Sequence, residues 1–171
     1  MTGRRVERLA EVQRVIAAKG GIAHALPLDV TRVESIRACV AAAERVAGPL
    51  TILVNTAGVS VQASATTLAE ADYDAIMDTN VKGTFFMAQL VGSRMIERGI
   101  HGRIVTIASI GAEKALPGLV AYCTSKAAVA MMTKGLAREW ARHHVAVNAI
   151  CPGYIKTELN DTWFESAAGQ K

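Results

Sequence analysis

The sequence predicts an α/β fold built on a parallel sheet whose strands are joined by helices. Three observations predict it. Segments with strand and helix patterning alternate strictly along the chain, and that order makes the helices crossovers between parallel strands. Leu50–Val54 and Ile104–Ala108 are short apolar runs of the kind buried inside a sheet. Val81–Ile96 and Ala127–Trp140 are apolar almost all round, so each is expected to be covered on more than one side.

Taken in order, residues 4–18 read as a helix. Val6, Leu9, Val12 (or Gln13) and Ile16 form its stripe, and Gly20-Gly21 ends it. Residues 22–28 read as a strand stopping at Asp29. Thr31 is expected to cap the next helix, with Glu34 three residues on completing a capping box. That helix runs to Gly48-Pro49, and Leu50–Val54 follows as a strand. A loop with Gly58 precedes a helix over 70–98, which at roughly 28 residues is far longer than the usual ~11–12. The strand Ile104–Ala108, the helix 120–143 and the strand Val145–Cys151 complete the pattern before a polar loop opens at Pro152-Gly153. No repeat, linker or low-complexity segment interrupts it.

With 171 residues, half of them hydrophobic, the chain suits one domain with a sizeable core. Its net charge of +4 is mild and spread along the chain, so nucleic-acid binding is not expected. Cys39, Cys123 and Cys151 are odd in number and far apart, which points to a reducing, cytoplasmic setting without disulfides or a zinc site. No apolar run is long enough for a membrane span. The basic N-terminus lacks the apolar core of a signal peptide. Asn160-Asp161-Thr162 is a formal glycosylation sequon without meaning in such a setting.

The chemistry concentrates between Ser109 and Lys126. Ser109 closes the Ile104–Ala108 run, Pro117-Gly118 breaks the chain, and Tyr122 and Lys126 open the next helix at i, i+4 on one face. A hydroxyl, a phenol and an ammonium can so meet in one polar pocket. A free tyrosine is a poor base at neutral pH, but a neighbouring lysine cation favours the phenolate. Such a tyrosine can give a proton to a ketone being reduced or take one from an alcohol being oxidised. No side chain supplies hydride, so the reaction needs a cofactor.

In order, Asp29-Val30-Thr31, Asn55-Thr56-Ala57-Gly58, Asn80-Val81, Ser109, Tyr122-Cys-Thr-Ser-Lys126 and Pro152-Gly153 resemble the short-chain dehydrogenase/reductase family. Any one of these is weak alone; six in the right order and spacing are specific. The resemblance spans almost the whole chain. It implies a single partial dinucleotide-binding domain over 1–171, a Rossmann-like doubly wound parallel sheet with helices on both faces. Tyr122 would be the acid/base, Lys126 its activator, Ser109 the anchor for the substrate oxygen, and Asn80 a helix irregularity that holds a relay water. The cofactor would be NADP(H) or NAD(H), exchanging hydride with a small alcohol or carbonyl substrate. Asp29 and Val30 match the adenine contact, Asn55, Ala57 and Gly58 the loop after a strand, and Tyr122 and Lys126 also face the cofactor. Pro152, Gly153, Ile155 and Thr157 match the loop over the nicotinamide. Thr56 stands where the family usually has a second asparagine, a mild departure. Arg4 falls where the adenosine ribose is read, and an arginine there suits the 2′-phosphate of NADP. The plainer alternatives are a strand end with a cap at Asp29, a solvated terminal charge at Arg4 and an ordinary turn at Pro152. The resemblance also implies homo-oligomers formed through helices 70–98 and 120–143.

Against the family pattern, the N-terminal strands, the C-terminal strand and the glycine-rich pyrophosphate turn are lacking. None of the 14 glycines falls in a G-x-G-x-x-G pattern. The implied strand order sets two absent strands between 22–28 and 50–54, so that the former has no neighbour and the latter exposes an apolar edge. The catalytic residues without that turn would bind dinucleotide weakly. The alternative to an oxidoreductase is therefore a non-catalytic fragment that at most self-associates.

Overall fold

The computed structural model describes residues 1–155; Thr157 and the Asn160 sequon lie outside them. Five strands and five α-helices alternate: β1 (Thr2–Gly3), α1 (Val6–Ala18), β2 (Leu26–Pro27), α2 (Val33–Ala47), β3 (Ile52–Asn55), α3 (Glu70–Met77), α4 (Thr84–Glu97), β4 (Arg103–Ile107), α5 (Val120–Trp140) and β5 (Ala146–Ile150). The strands form two parallel sheets, β1–β2 and β3–β4–β5, with helices on both faces. Leu53 pairs with Ile104 and Ile104 with Val147, so the loops after β3, β4 and β5 leave the sheet at one edge. Doubly wound sheets bind ligands at that edge.

The core gathers Ile36, Cys39 and Val40 of α2, Met87, Val91 and Met95 of α4, Leu136 of α5, and Ile104 and Val147 of the sheet. Full burial of each such side chain stabilises by about 1.5–3 kcal/mol. Glu44 of α2 pairs with Arg94 and Arg98 of α4. Thus α2 packs along one side of α4 within the chain, and α5 turns Ala127, Met131 and Gly135 outward.

Three expectations need correction. The strand around 22–28 does have a neighbour: Leu26 and Leu28 donate to the carbonyls of Met1 and Gly3 at 3.0 and 2.9 Å. Thr2–Gly3 therefore takes the place of one of the two strands expected to be absent. Thr31 does not cap α2. Arg32 holds the cap position without a side-chain bond, because the Thr31 hydroxyl is turned back to Asp29 at 2.7 Å. The inward stripe of α1 is Leu9, Gln13 and Ile16, with Val6 and Val12 exposed and no residue of the helix buried. The apolar edge is there as expected: β3 leaves Ile52 and Val54 63% and 53% exposed. Between the facing edges of β1 and β3 lies a cleft of about 500 Å³.

Candidate active site

The long helix expected over 70–98 is not one regular helix. Between α3 and α4 it passes through a π-helical turn, Asp78–Gly83, with Asn80 inside it. Such turns are costly and cluster at functional sites. Asn80 is 1% exposed. Its Oδ1 accepts from the Val59 amide at 2.8 Å, and its Nδ2 donates to the Val59 carbonyl at 2.9 Å and to Ser125 Oγ at 3.0 Å. Both amide hydrogens are thereby engaged. The asparagine clamps the loop after β3 to the start of α5.

Ser109 is buried just past β4, where its Oγ accepts from the Gly111 amide at 3.0 Å and opens a short turn over Ile110–Ala112. Among the described residues its own hydroxyl hydrogen has no acceptor, which leaves it free to donate to a substrate oxygen. Tyr122 is half-buried in the first turn of α5, and Lys126 stands one turn on, with Nζ 5.7 Å from the tyrosine ring centroid. Lys126 is 6% exposed, and its Nζ donates to the Ile107 carbonyl at 2.8 Å. Burial holds its ammonium below the usual lysine range, an effect partly opposed by the Cys151 sulfur. A Cβ on Gly58 would lie 3.5 Å from both Asn80 Oδ1 and Lys126 Nζ, so this glycine stands directly against the pair.

Arg4, Asp29, Val30, Asn55, Ala57 and Gly58 all line the cleft between the two sheets. Ser109, Tyr122 and Lys126 do not; they stand beyond Gly58, outside it. Asp29 Oδ1 accepts from both the Thr31 hydroxyl and the Thr31 amide, and these bonds hold its carboxyl below the usual range, with help from Arg4 and Arg32. Asn55 is buried, and its Nδ2 has no partner among the described residues. Pro152 accepts from the Ile110 amide at 2.9 Å, which fastens the loop after β5 beside Ser109, while Gly153 and Ile155 are exposed. Three contributors were missed in the sequence. Val59 and Ser125 partner Asn80, and Gly83 packs so closely on Val30 that a Cβ would lie 2.8 Å from the Val30 carbonyl oxygen. The π turn gives no composition signal; the poor helix propensity of Asn80 hinted at it, and the family resemblance placed a helix irregularity there. No three potential metal ligands gather among the described residues, and none of their helices is long and apolar enough to cross a membrane.

The parallel sheets with helices on both faces define a partial Rossmann-like α/β fold, with a serine, a tyrosine and a buried lysine beyond the carboxyl edge of the larger sheet. A family model described as short chain dehydrogenase matches residues 1–168. Gluconate 5-dehydrogenase of Gluconobacter oxydans is 40% identical over 161 residues, 94% of this chain and 62% of that protein. The NAD-dependent glycerol dehydrogenase of Listeria innocua is 43% identical over 85% of this chain and 57% of its own length. Among solved structures, a gluconate 5-dehydrogenase from Burkholderia cenocepacia in complex with NADP and tartrate superposes with a TM-score of 0.93. It is 36% identical, over 98% of this chain and 66% of that one. The chain belongs to the short-chain dehydrogenase family, and it spans about three fifths of the length of the curated relatives it matches.

Proposed function

We propose that the chain carries the catalytic part of an oxidoreductase that moves hydride between NADP(H) or NAD(H) and a small alcohol or ketone. One observation carries the reading: a buried, bonded Lys126 beneath the Tyr122 ring, one strand end away from a buried Ser109. The nicotinamide supplies the hydride when bound. Tyr122 passes the proton at its phenol oxygen, with the Lys126 ammonium one helical turn away. Ser109 donates to the substrate oxygen. Asn80, its carboxamide hydrogens engaged, serves any relay through the turn it holds open.

The residues present fit two parts of such a cofactor. Gly58 brings bare backbone against Lys126 and Asn80, which suits close approach of a ribose. Arg4, Asp29 and Val30 wall the cleft at the far end and suit adenosine, with Arg4 favouring a 2′-phosphate. Nothing in the sequence matches the glycine turn for the pyrophosphate. The open cleft between β1 and β3 favours the second reading, a non-catalytic chain that at most self-associates. Either form would associate with a second copy through 70–98 and 120–143, with Met131, 65% exposed on the outer face of α5, at the contact.

Fluorescence titration of the purified chain with NADPH and NADH tests both. Micromolar binding, weakened for NADPH by Arg4→Ala, supports the enzyme; turnover should then fall at least 100-fold in Tyr122→Phe. No binding into the millimolar range supports the non-catalytic reading.

A further inference from the structure

We propose that Ser125 is a positioning residue: it transmits the clamp at Asn80 to the helix turn that carries Tyr122 and Lys126. The proposal rests on the reading of Tyr122 as the acid/base. Ser125 is 0% exposed. Its Oγ accepts from Asn80 Nδ2 at 3.0 Å and donates to the Tyr122 carbonyl at 2.7 Å. A helical serine commonly bonds back to a carbonyl one turn earlier, and alone that bond would mean little. Here the same oxygen also takes a hydrogen from a side chain 45 residues away. Donation runs in one direction, from the Asn80 amide to the Ser125 hydroxyl to the Tyr122 carbonyl, and bonds in such a chain polarise one another. At its other end Asn80 holds both the N–H and the C=O of Val59, next to Gly58.

Three elements are thus joined through Asn80 and this hydroxyl: the loop after β3, the π turn and the first turn of α5. Each lies on a separate stretch of chain, so none fixes the others through local backbone geometry. Without the hydroxyl, one Asn80 amide hydrogen is buried with no acceptor, a costly state that the carboxamide escapes by turning away from Val59. The loop that carries Gly58 and the turn that carries Tyr122 then lose their common reference.

The Val59 amide is a direct reporter, since Asn80 is its acceptor. In Ser125→Ala its hydrogen exchange is expected to accelerate about tenfold, with the amides of β4 unchanged. Ser125→Thr, which keeps the hydroxyl, retains the original rate. Unchanged Val59 exchange in Ser125→Ala would overturn the proposal. So would equal acceleration in both variants, because the effect would then follow packing rather than the hydrogen bond. Where the preparation turns over, kcat falls at least tenfold in Ser125→Ala with the cofactor KM unchanged; an unchanged kcat also overturns it. A chain that binds no dinucleotide refutes the enzyme reading, while the exchange data still decide the clamp.

Discussion

Lys126 shows what the site costs at the scale of one residue. Its ammonium is buried with a single described acceptor, the Ile107 carbonyl, and burial lowers its folded-state pKa. A lysine whose pKa is lower folded than unfolded weakens the fold fully below the folded value, and the penalty fades as pH climbs towards about 10.4. Denaturation midpoints should therefore converge from one side: the wild type gains on Lys126→Met between pH 7 and pH 10, and Lys126→Met is inactive throughout. Parallel midpoints across that range would show the lysine uncharged or unburied. At this scale Ser109, Tyr122 and Lys126 stood out only in the company of the other motifs, since a Tyr-x-x-x-Lys alone is common; the fold sets Lys126 Nζ 5.7 Å from the Tyr122 ring centroid. Ser125 was not. It lies between Thr124 and Lys126 in sequence, and only the long-range bond from Asn80 separates it from any helical serine. The role given to Thr31 failed for a related reason: its hydroxyl turns back to donate to the Asp29 carboxylate, away from the helix N–H groups from which a cap would accept.

Among the elements, the π turn matters most. It ends at Gly83, which seats α4 against Val30 on the cleft wall. Gly83→Ala forces a Cβ within 2.9 Å of the Val30 side chain, so either α4 or Val30 must move. Overpacking of this kind destabilises by about 1–3 kcal/mol. The thermal midpoint should fall accordingly, and any NADPH affinity should fall with it, since the displaced residue faces the adenosine end. A midpoint within experimental error of the wild type would mean that the contact relaxes freely. The element pattern itself was readable, because period and chain order need no tertiary knowledge. The break in the 70–98 helix was expected only from the family resemblance at Asn80, since one extra residue in a turn leaves hydrophobic periodicity almost intact over so short a span. The pairing of Thr2–Gly3 was hidden as well: a two-residue strand has no period to detect.

Across the whole molecule, stability is uneven. The core binds α2, α4 and α5 to the three-stranded sheet, whereas α1 buries no residue and β1 meets β2 over two residue pairs only. Regions with few buried contacts open first. Limited trypsin digestion should therefore cut at Arg14 and Lys19 before any site in α4 or α5 and leave a resistant fragment starting near residue 20. First cuts within α5 would contradict this order. The unpaired, half-exposed edge of β3 predicts a second behaviour, concentration-dependent association, which Val54→Lys should reduce in light scattering. The two sheets also divide the labour. Arg4, Asp29 and Val30 belong to the smaller one, while Asn80, Ser109, Tyr122 and Lys126 are built on the larger. On the proposed function, coenzyme choice would be set beside the smaller sheet and the proton chemistry on the larger, the two joined where Leu28 and Val30 pack on the common core. Arg4 and its exposed neighbours could be exchanged for those of a relative to retune coenzyme preference, while Leu28 and Val30 must stay to seat α4.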